Sequence, residues 1–447
     1  MNTYQTKFES IAEQVEQWRR EAGVPGVALG ISTNNGVFTK GLGVTSYDNP
    51  LTVTDDTLFQ IGSISKTVTA TVMMCLVDAG KLDLNERVQT YLPDFHVKDD
   101  SVSKSVTVKH LITHVSGWVG DVFTDTGSND SSLAEYVEQM AELQQLAEMD
   151  YALSYNNAAF AVAGRIVEVI TGQTFEAAVQ ELVFDPLGLD HCFYFPRDIM
   201  LHRFVVGHRV EKTGTKVLSP WPIPRASNPA GGISAHIKDL LAYGRYHMGD
   251  GAPLLKPETL QWMQTPQVKV NDYIGSVGLS WFVRDFDGIK GVTHNGGTVG
   301  QNSLLMLLPE KNFAYAMVTN SENGSALHAK FHRLVLKEFF DVIDPEPQAI
   351  DSTPEQLEQY VGTYARPLMT IDLQMDEGQL MATVKVTGGL PNDDPADSPP
   401  PAPMARCGDD QLVVTDGGMK NLRADFIRDA NNQITHLRFG SRINPRI

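Results

Sequence analysis

The sequence predicts an α+β protein in two parts: a two-lobed domain over residues 1–343 and a small antiparallel β-barrel over residues 355–447, joined by a linker at 344–354. In the first part an antiparallel sheet flanked by helices accompanies a helical lobe. Three observations carry this reading. Strand pairs with hairpin turns lie towards both ends of the first part, helical periodicity fills its middle, and short alternating strands take over after DPEPQAIDSTPEQ, where prolines and charges accumulate. A chain of 447 residues has room for two or three domains of roughly 100–200 residues each.

The elements follow in order. Phe8, Ile11, Val15 and Trp18 share one helical face over residues 4–22, and Gly23 and Pro25 stop that helix. GVALGIS, the turn TNNG and VFTKGLG form a hairpin, with Asn35–Gly36 expected to supply the positive φ angles. Ser63 to Ala79 reads as an apolar helix closed by Gly80. Helices dominate from about 100 to 190, AAFAVAGRIVEVITG among them, and another spans Ile237 to Met248. Strands return at GVTHNGGTVGQNSLLMLLP and FAYAMVTNS, joined by the turn Pro309–Asn312, and the helix 325–341 closes the unit. The barrel strands are YVGTYAR, LMTIDLQM, LMATVKVT, QLVVTD, LRADFIRD and ITHLRFG, with LPNDDPADSPPPAP (390–403) as an irregular proline-rich loop.

Composition excludes several classes of function. The 36 basic and 54 acidic side chains leave a formal charge of −18, which disfavours nucleic acid and anionic membrane surfaces. Three scattered cysteines make neither a disulfide framework nor a CxxC metal or redox site. No run approaches the roughly 20 apolar residues of a membrane span, and the N-terminal segment lacks a signal-peptide core, so a cytoplasmic protein is expected.

Chemistry enters at FQIG-Ser63-Ile64-Ser65-Lys66. Residues three apart share a helical face, so Ser63 Oγ and the Lys66 amine are neighbours at a helix start, where free N–H groups favour developing negative charge. A serine hydroxyl becomes nucleophilic when a neighbour removes its proton, and a lysine of lowered pKa can do so. For a lone S-x-x-K the plain reading, Ser63 as a helix cap and Lys66 as a solvated side chain, is much the stronger. A second match, Ser101 to Lys104, lies in polar sequence and is set aside. Tyr155-Asn156-Asn157 directly precedes a helix; a phenol can shuttle protons, and Asn157 can hydrogen-bond an amine and a substrate amide. His294-Asn295-Gly296-Gly297 lies on a strand whose paired glycines permit close backbone approach, so that an N–H there and that of Ser63 could form an oxyanion hole. His247-Met248-Gly249 is better read as a helix end, Tyr47-Asp48-Asn49 as a turn, and Lys212-Thr213-Gly214 as a hairpin turn. His110 and His114 have the i, i+4 spacing of zinc ligands but lack the accompanying glutamate, and no metal is expected there.

In order and in context, FQIGSISKTVTA, TVKHLITHVSGW, SYNNAAFAVAGRIVEVITG, PLGLDHC, AGGISAHIKDLLAYG and HNGGTVGQNS resemble the serine β-lactamase and penicillin-binding protein superfamily. The nearest resemblance is to class C β-lactamases and their CubicO-type peptidase and esterase relatives. It implies that Ser63 is acylated, that Lys66 and Tyr155 handle its proton, and that Asn157 positions Lys66 and the substrate amide. His294 then replaces the third-motif lysine, Gly296 lets the substrate approach, and the N–H groups of Ser63 and Gly297 polarise the carbonyl. The implied reaction is two-step acyl transfer to water without metal or cofactor. The third motif should follow AGGIS, which selects His294 over Lys212. YVGTYARP resembles the opening of the lipocalin-like domains that accompany some CubicO-type peptidases.

The resulting expectation is a serine hydrolase acting on small amides, short peptides (D-residue-containing ones among them) or esters, with weak β-lactam turnover as a side reaction. A β-lactam-acylating sensor, a non-catalytic binding protein and an acyltransferase of the same fold are the alternatives. The expected partner is a small molecule or short peptide, and homo-oligomer assembly is one role open to the barrel.

Overall fold

The structure, a computed structural model, describes residues 3–211, 214–219, 221–388 and 398–447. Helix α1 (Thr3–Glu21) leads into β1 (Gly26–Thr33) and β2 (Gly36–Gly43). The remaining strands of the same sheet come much later: β3 (Val268–Asn271), β4 (Gly275–Val277), β5 (Phe282–Phe286), β6 (Ile289–Thr298), β7 (Gln301–Leu308) and β8 (Phe313–Thr319). They assemble in the order β2-β1-β8-β7-β6-β5-β4-β3, antiparallel throughout. The expected β1–β2 hairpin forms, with Thr33 paired to Gly36. Its positive φ is carried by Gly36 alone, at 127°; Asn35 keeps an ordinary φ because the loop is Asn34–Asn35. Strands β3 to β5 escape sequence reading because they are short and only partly buried.

Helices cover both faces of this sheet, so its central strands are buried on both sides and lose the apolar–polar alternation of a half-exposed strand. In β8, Phe313, Tyr315 and Met317 pack towards α1 and α5 (Gly324–Phe340), whereas Ala314, Ala316 and Val318 face the helical lobe. That lobe contains α2 (Ser65–Asp78), α3 (Ala158–Thr171) and α4 (Ile237–Tyr246). The larger core cluster runs through all three, from Val68 and Met73 to Phe160, Ile166 and Leu241. Among the described residues no helix is long and apolar enough to cross a membrane.

After α5 the chain runs without regular structure to a short helix at Pro354–Glu358, then enters an eight-stranded up-and-down antiparallel sheet. Its strands are β9 (Gly362–Arg366), β10 (Met369–Asp376), β11 (Gln379–Val386), β12 (Ala402–Gly408), β13 (Gln411–Val414), β14 (Arg423–Arg428), β15 (Ile434–Phe439) and β16 (Arg442–Pro445). A bridge between Tyr364 and Arg446, with Ile447 N–H donating to Thr363 O at 3.0 Å, brings the last strand back to the first and nearly closes a barrel. Closure protects the edges that an open sheet would expose. The inside is filled by Tyr364, Leu380, Leu412, Phe426 and their neighbours.

Two of these strands, β12 and β16, were not legible in sequence, and the loop expected at 390–403 needs correcting. Ala402 and Pro403 already pair with β11, opposite Ala382 and Met381. Residues 389–397 of that loop lie outside the described residues, as do Lys212 and Thr213; around the latter pair, His208–Glu211 and Gly214–Val217 form the expected hairpin.

Candidate active site

The turn that carries Ser63 is set by glycines. Ser63 lies in a 3-10 turn, Gly62–Ile64, and the α-helix begins two residues later than expected, at Ser65. The cause is Gly62, whose φ of 52° turns the chain out of the strand Phe59–Gln60 before the helix can start. Strand β6 passes against this turn so closely that a Cβ on Gly296 would fall 1.9 Å from Ile61 O, and one on Gly62 would fall 2.6 Å from Gly297 N. Glycine is therefore needed on both sides of the contact. Ser303 Oγ, on the adjoining β7, fastens the pair by donating to Ile61 O at 2.6 Å.

Ser63 makes no cap to the helix that follows. Lys66 Nζ lies 3.1 Å from Ser63 Oγ and donates to Ala230 O at 2.6 Å. Lys66 is wholly buried. Burial disfavours its ammonium form, the Arg442 charge opposes it further, and Asp121 offsets only part of this, so its pKa falls well below the usual lysine range. The solvated-lysine reading is thereby excluded. Ser101 and Lys104, by contrast, sit on an exposed helix, Asp100–Ser105, where Lys104 approaches Asp100.

Tyr155 ends the segment before α3, and its ring centroid is 4.9 Å from Lys66 Nζ. Its hydroxyl approaches Ser63 but has no well-aligned hydrogen-bond partner among the described residues. Burial raises its pKa, an effect that Ser63 and Arg442 only partly relieve, so the phenol keeps its proton. His114 stacks beneath the ring at 4.4 Å. Its Nδ1 accepts from the Asn156 N–H at 3.1 Å, and burial lowers its pKa well below the usual range. The residue is a neutral platform. His110 instead meets Thr107 and Asp150.

Asn156 is structural, donating to Ser116 Oγ and Trp118 O and accepting from the Ala159 N–H. Asn157 faces the cleft, yet its Nδ2 donates to Asp121 Oδ1 at 2.8 Å. Lys66 is thus hydrogen-bonded to Ser63 and Ala230, and Asn157 is held by a carboxylate instead of by Lys66. His294 is 2 % exposed, and burial, aided by Lys66, pushes its pKa down to about 3. It is neutral where the third-motif lysine would be charged. Ser63, Tyr155, Asn157, His294, Gly296 and Gly297 line one cleft of about 720 Å³, with Lys66 beneath its floor.

The barrel completes this cleft. The turn Gly440–Ser441–Arg442 between β15 and β16 enters it, and Ser441 O accepts from the Tyr155 N–H at 2.8 Å. The Arg442 guanidinium lies 4.5 Å over the Tyr155 ring and pairs with Asp121 at 3.0 Å. Arg366, in β9, reaches the same carboxylate at 3.1 Å. Burial works to raise the Asp121 pKa, but the two arginines outweigh it and hold the group ionised. Sequence reading missed Asp121, Arg366, Ser441 and Arg442. The one available signal was Arg366 inside YVGTYARP; no motif marks the others.

One metal-capable group occurs among the described residues, His191, His236 and Asp239, and none of these lines the cleft. His236 Nδ1 accepts from the Asp239 N–H as the cap of α4, which occupies that lone pair.

A model of the Beta-lactamase family matches residues 9–337. Penicillin-binding protein 4 of Amycolatopsis lactamdurans is 32% identical over 371 residues, which are 79% of this chain and 96% of that one. Among solved structures, SurE superposes with a TM-score of 0.78 at 22% identity over 99% of both chains, and it has also been solved with D-Leu. A class C β-lactamase gives a TM-score of 0.66 at 20% identity over 76% of this chain and 98% of its own. The chain belongs to the β-lactamase family, within the superfamily of serine hydrolases that includes the penicillin-binding proteins. Its fold extends beyond that of the class C enzyme and matches SurE along almost its whole length.

Proposed function

We propose that the protein is a serine hydrolase that cleaves small amides, short peptides or esters through an acyl-enzyme on Ser63. The observation that carries this reading is the buried Lys66 amine 3.1 Å from Ser63 Oγ, in an environment that favours its neutral form. A neutral amine keeps one N–H for Ala230 O and offers its lone pair to the serine hydroxyl. Lys66 takes the Ser63 proton as Oγ bonds to the substrate carbonyl carbon, and the carbonyl oxygen gains the negative charge. The N–H groups of Ser63 and Gly297 stabilise that oxygen. As the tetrahedral species collapses, the bond to the leaving group breaks, and the proton held by Lys66 passes to the departing nitrogen or oxygen through the Tyr155 hydroxyl. Water then repeats the sequence on the Ser63 ester.

Two residues depart from the roles expected of them. Asn157 orients the substrate amide while anchored on Asp121. The positive charge that a third-motif lysine would bring comes from Arg442 of the barrel, because His294 is neutral. Similarity to a protein solved with D-Leu supports D-residue-containing peptides as substrates.

The test is hydrolysis of p-nitrophenyl acetate by the full chain and by Ser63→Ala, with mass spectrometry after a fluorophosphonate probe. Turnover lost in the variant and an adduct on Ser63 are expected; full activity in Ser63→Ala overturns the assignment.

A further inference from the structure

Beyond Gly231 the catalytic cleft adjoins a second cavity of about 400 Å³, and Ile223 and Gly231 line both. Three short strands build its base. Gln60, on the strand that delivers the nucleophile, pairs with Ser234, and Ser234 pairs on its other side with Phe193, next to Tyr194. Gln60, Tyr194 and Ser234 all line the cavity and are at least nine-tenths buried. Yet Gln60 Oε1, the Tyr194 hydroxyl and the Ser234 hydroxyl have no hydrogen-bond partner among the described residues. A buried polar atom without a partner is costly. Within the catalytic cleft, the Tyr155 hydroxyl and His294 Nε2 are in the same condition. Three such atoms delivered by one small sheet to one cavity mark a place built to be filled.

The walls define the occupant. Tyr194, Phe195 and Trp221 supply aromatic faces, and prolines lie between them. Gln60 Nε2 is used, donating to Trp221 O at 2.7 Å, so Oε1 remains as an acceptor in need of a donor. A cationic side chain gains little here, because Arg197 and Arg225 already lie 4.7 and 5.1 Å from the Phe195 ring and Glu176 and Asp130 are already paired with Arg225. We propose that this cavity is a second substrate subsite, and that it takes a neutral aromatic side chain ending in an O–H or N–H donor. The inference rests on the hydrolase reading for its connection to catalysis, but occupancy of the cavity is measurable without turnover.

The experiment uses full-length Ser63→Ala protein and two probes, N-[3-(4-hydroxyphenyl)propanoyl]glycine and its phenyl counterpart, titrated by calorimetry. The hydroxylated probe is expected to bind about tenfold more tightly, the discrimination typical of a site with buried groups awaiting a partner. In Tyr194→Phe/Ser234→Ala protein that ratio should fall below about threefold, with Tm at or above that of the parent because the hydroxyls removed had no protein partner. Equal affinities, no binding of either probe at millimolar concentration, or a variant that loses stability without losing the ratio each overturn the proposal. Turnover of p-nitrophenyl acetate by the unmodified protein is recorded alongside. Its absence together with discriminating binding refutes the hydrolase reading alone, and its presence without discrimination refutes the subsite alone.

Discussion

The two ends of the cleft are built by opposite means. At the serine end, Ser63 and Lys66 are three residues apart, and a 3-10 turn running into a helix brings them together. At the barrel end, Arg442 reaches an aspartate 321 residues away in sequence, and only the docking of a second sheet places it over Tyr155. On the proposed mechanism the local device fixes which atom attacks. The long-range one adjusts the charge around it: Arg442 disfavours the ammonium form of Lys66, eases ionisation of Tyr155 and keeps Asp121 charged beside Asn157. On the proposed mechanism, catalytic identity resides in the part that the family model matches, residues 9–337, and its tuning resides in the barrel beyond it.

The sharpest way to break this comparison is to remove each end in turn. Lys66→Met takes away the proposed base while leaving the volume filled, and kcat/KM for p-nitrophenyl acetate should fall by roughly 10³-fold or more, as for members of tightly coupled catalytic sets. Arg442→Met should cost less, about 10- to 100-fold, because it removes a charge beside the reacting groups and leaves the nucleophile and base in place. If both substitutions cost the same, the division between identity and tuning is wrong.

A pH profile sharpens the distinction. The proposed mechanism uses Lys66 as a neutral amine and so requires kcat/KM to rise as Lys66 loses its proton and to fall on the acid side. Arg442 holds the Lys66 pKa down, and Asp121 pushes it up. Without Arg442 the amine binds its proton at higher pH, so the acid limb of Arg442→Met moves upwards. Arg442→Lys should return the limb towards its original position through charge alone. An acid limb that stays put in Arg442→Met would mean that the barrel charge does not reach Lys66.

Asp121 tests the anchoring itself. Its carboxylate faces both Arg366 and Arg442, and the side chains of Asp121 and Arg366 are about nine-tenths buried. Asp121→Asn leaves two guanidinium groups without a counter-charge, and breaking a buried pair in this way typically costs about 3–5 kcal/mol. Thermal unfolding should show a clear loss of Tm, accompanied by a release of Asn157 that raises KM for amides. An unchanged Tm would show that the barrel is held by its other contacts, such as Tyr273 to Asp425 at 3.0 Å.

What could be read from the sequence follows the same divide. Ser63, Lys66, Tyr155 and the His294–Gly297 strand are legible because each belongs to a short motif of fixed local spacing, and the structure gathers them at one cleft, with Lys66 beneath its floor. The role of Asn157 was only half legible: its position could be read, but its partner, Asp121, is a lone carboxylate in loop sequence. Arg442 could not be found, because β16 is a four-residue strand that escaped reading and the turn before it carries no pattern. Likewise β3 to β5 are too short for periodicity to declare them. Burial was also invisible to sequence, and burial is what makes His294 neutral and brings the Lys66 pKa down.

The smallest expected effect bears on the cost of the local device. A lysine whose folded pKa lies below its unfolded value destabilises the protein at neutral pH, because the unfolded chain binds a proton that the folded site refuses. Stability therefore rises with pH between the lowered pKa and about 10.4, where the unfolded lysine titrates. Lys66→Met removes that penalty and loses only the hydrogen bonds to Ser63 and Ala230. It should raise stability at pH 7 by about 1 kcal/mol, within the range usual when a strained functional group is replaced. The gain should shrink as the pH approaches 10, since there the unfolded state no longer binds the extra proton. Thermal unfolding of both proteins at several pH values measures this directly. A variant less stable than the parent at pH 7, or a gain independent of pH, would show that the Lys66 site carries no such penalty.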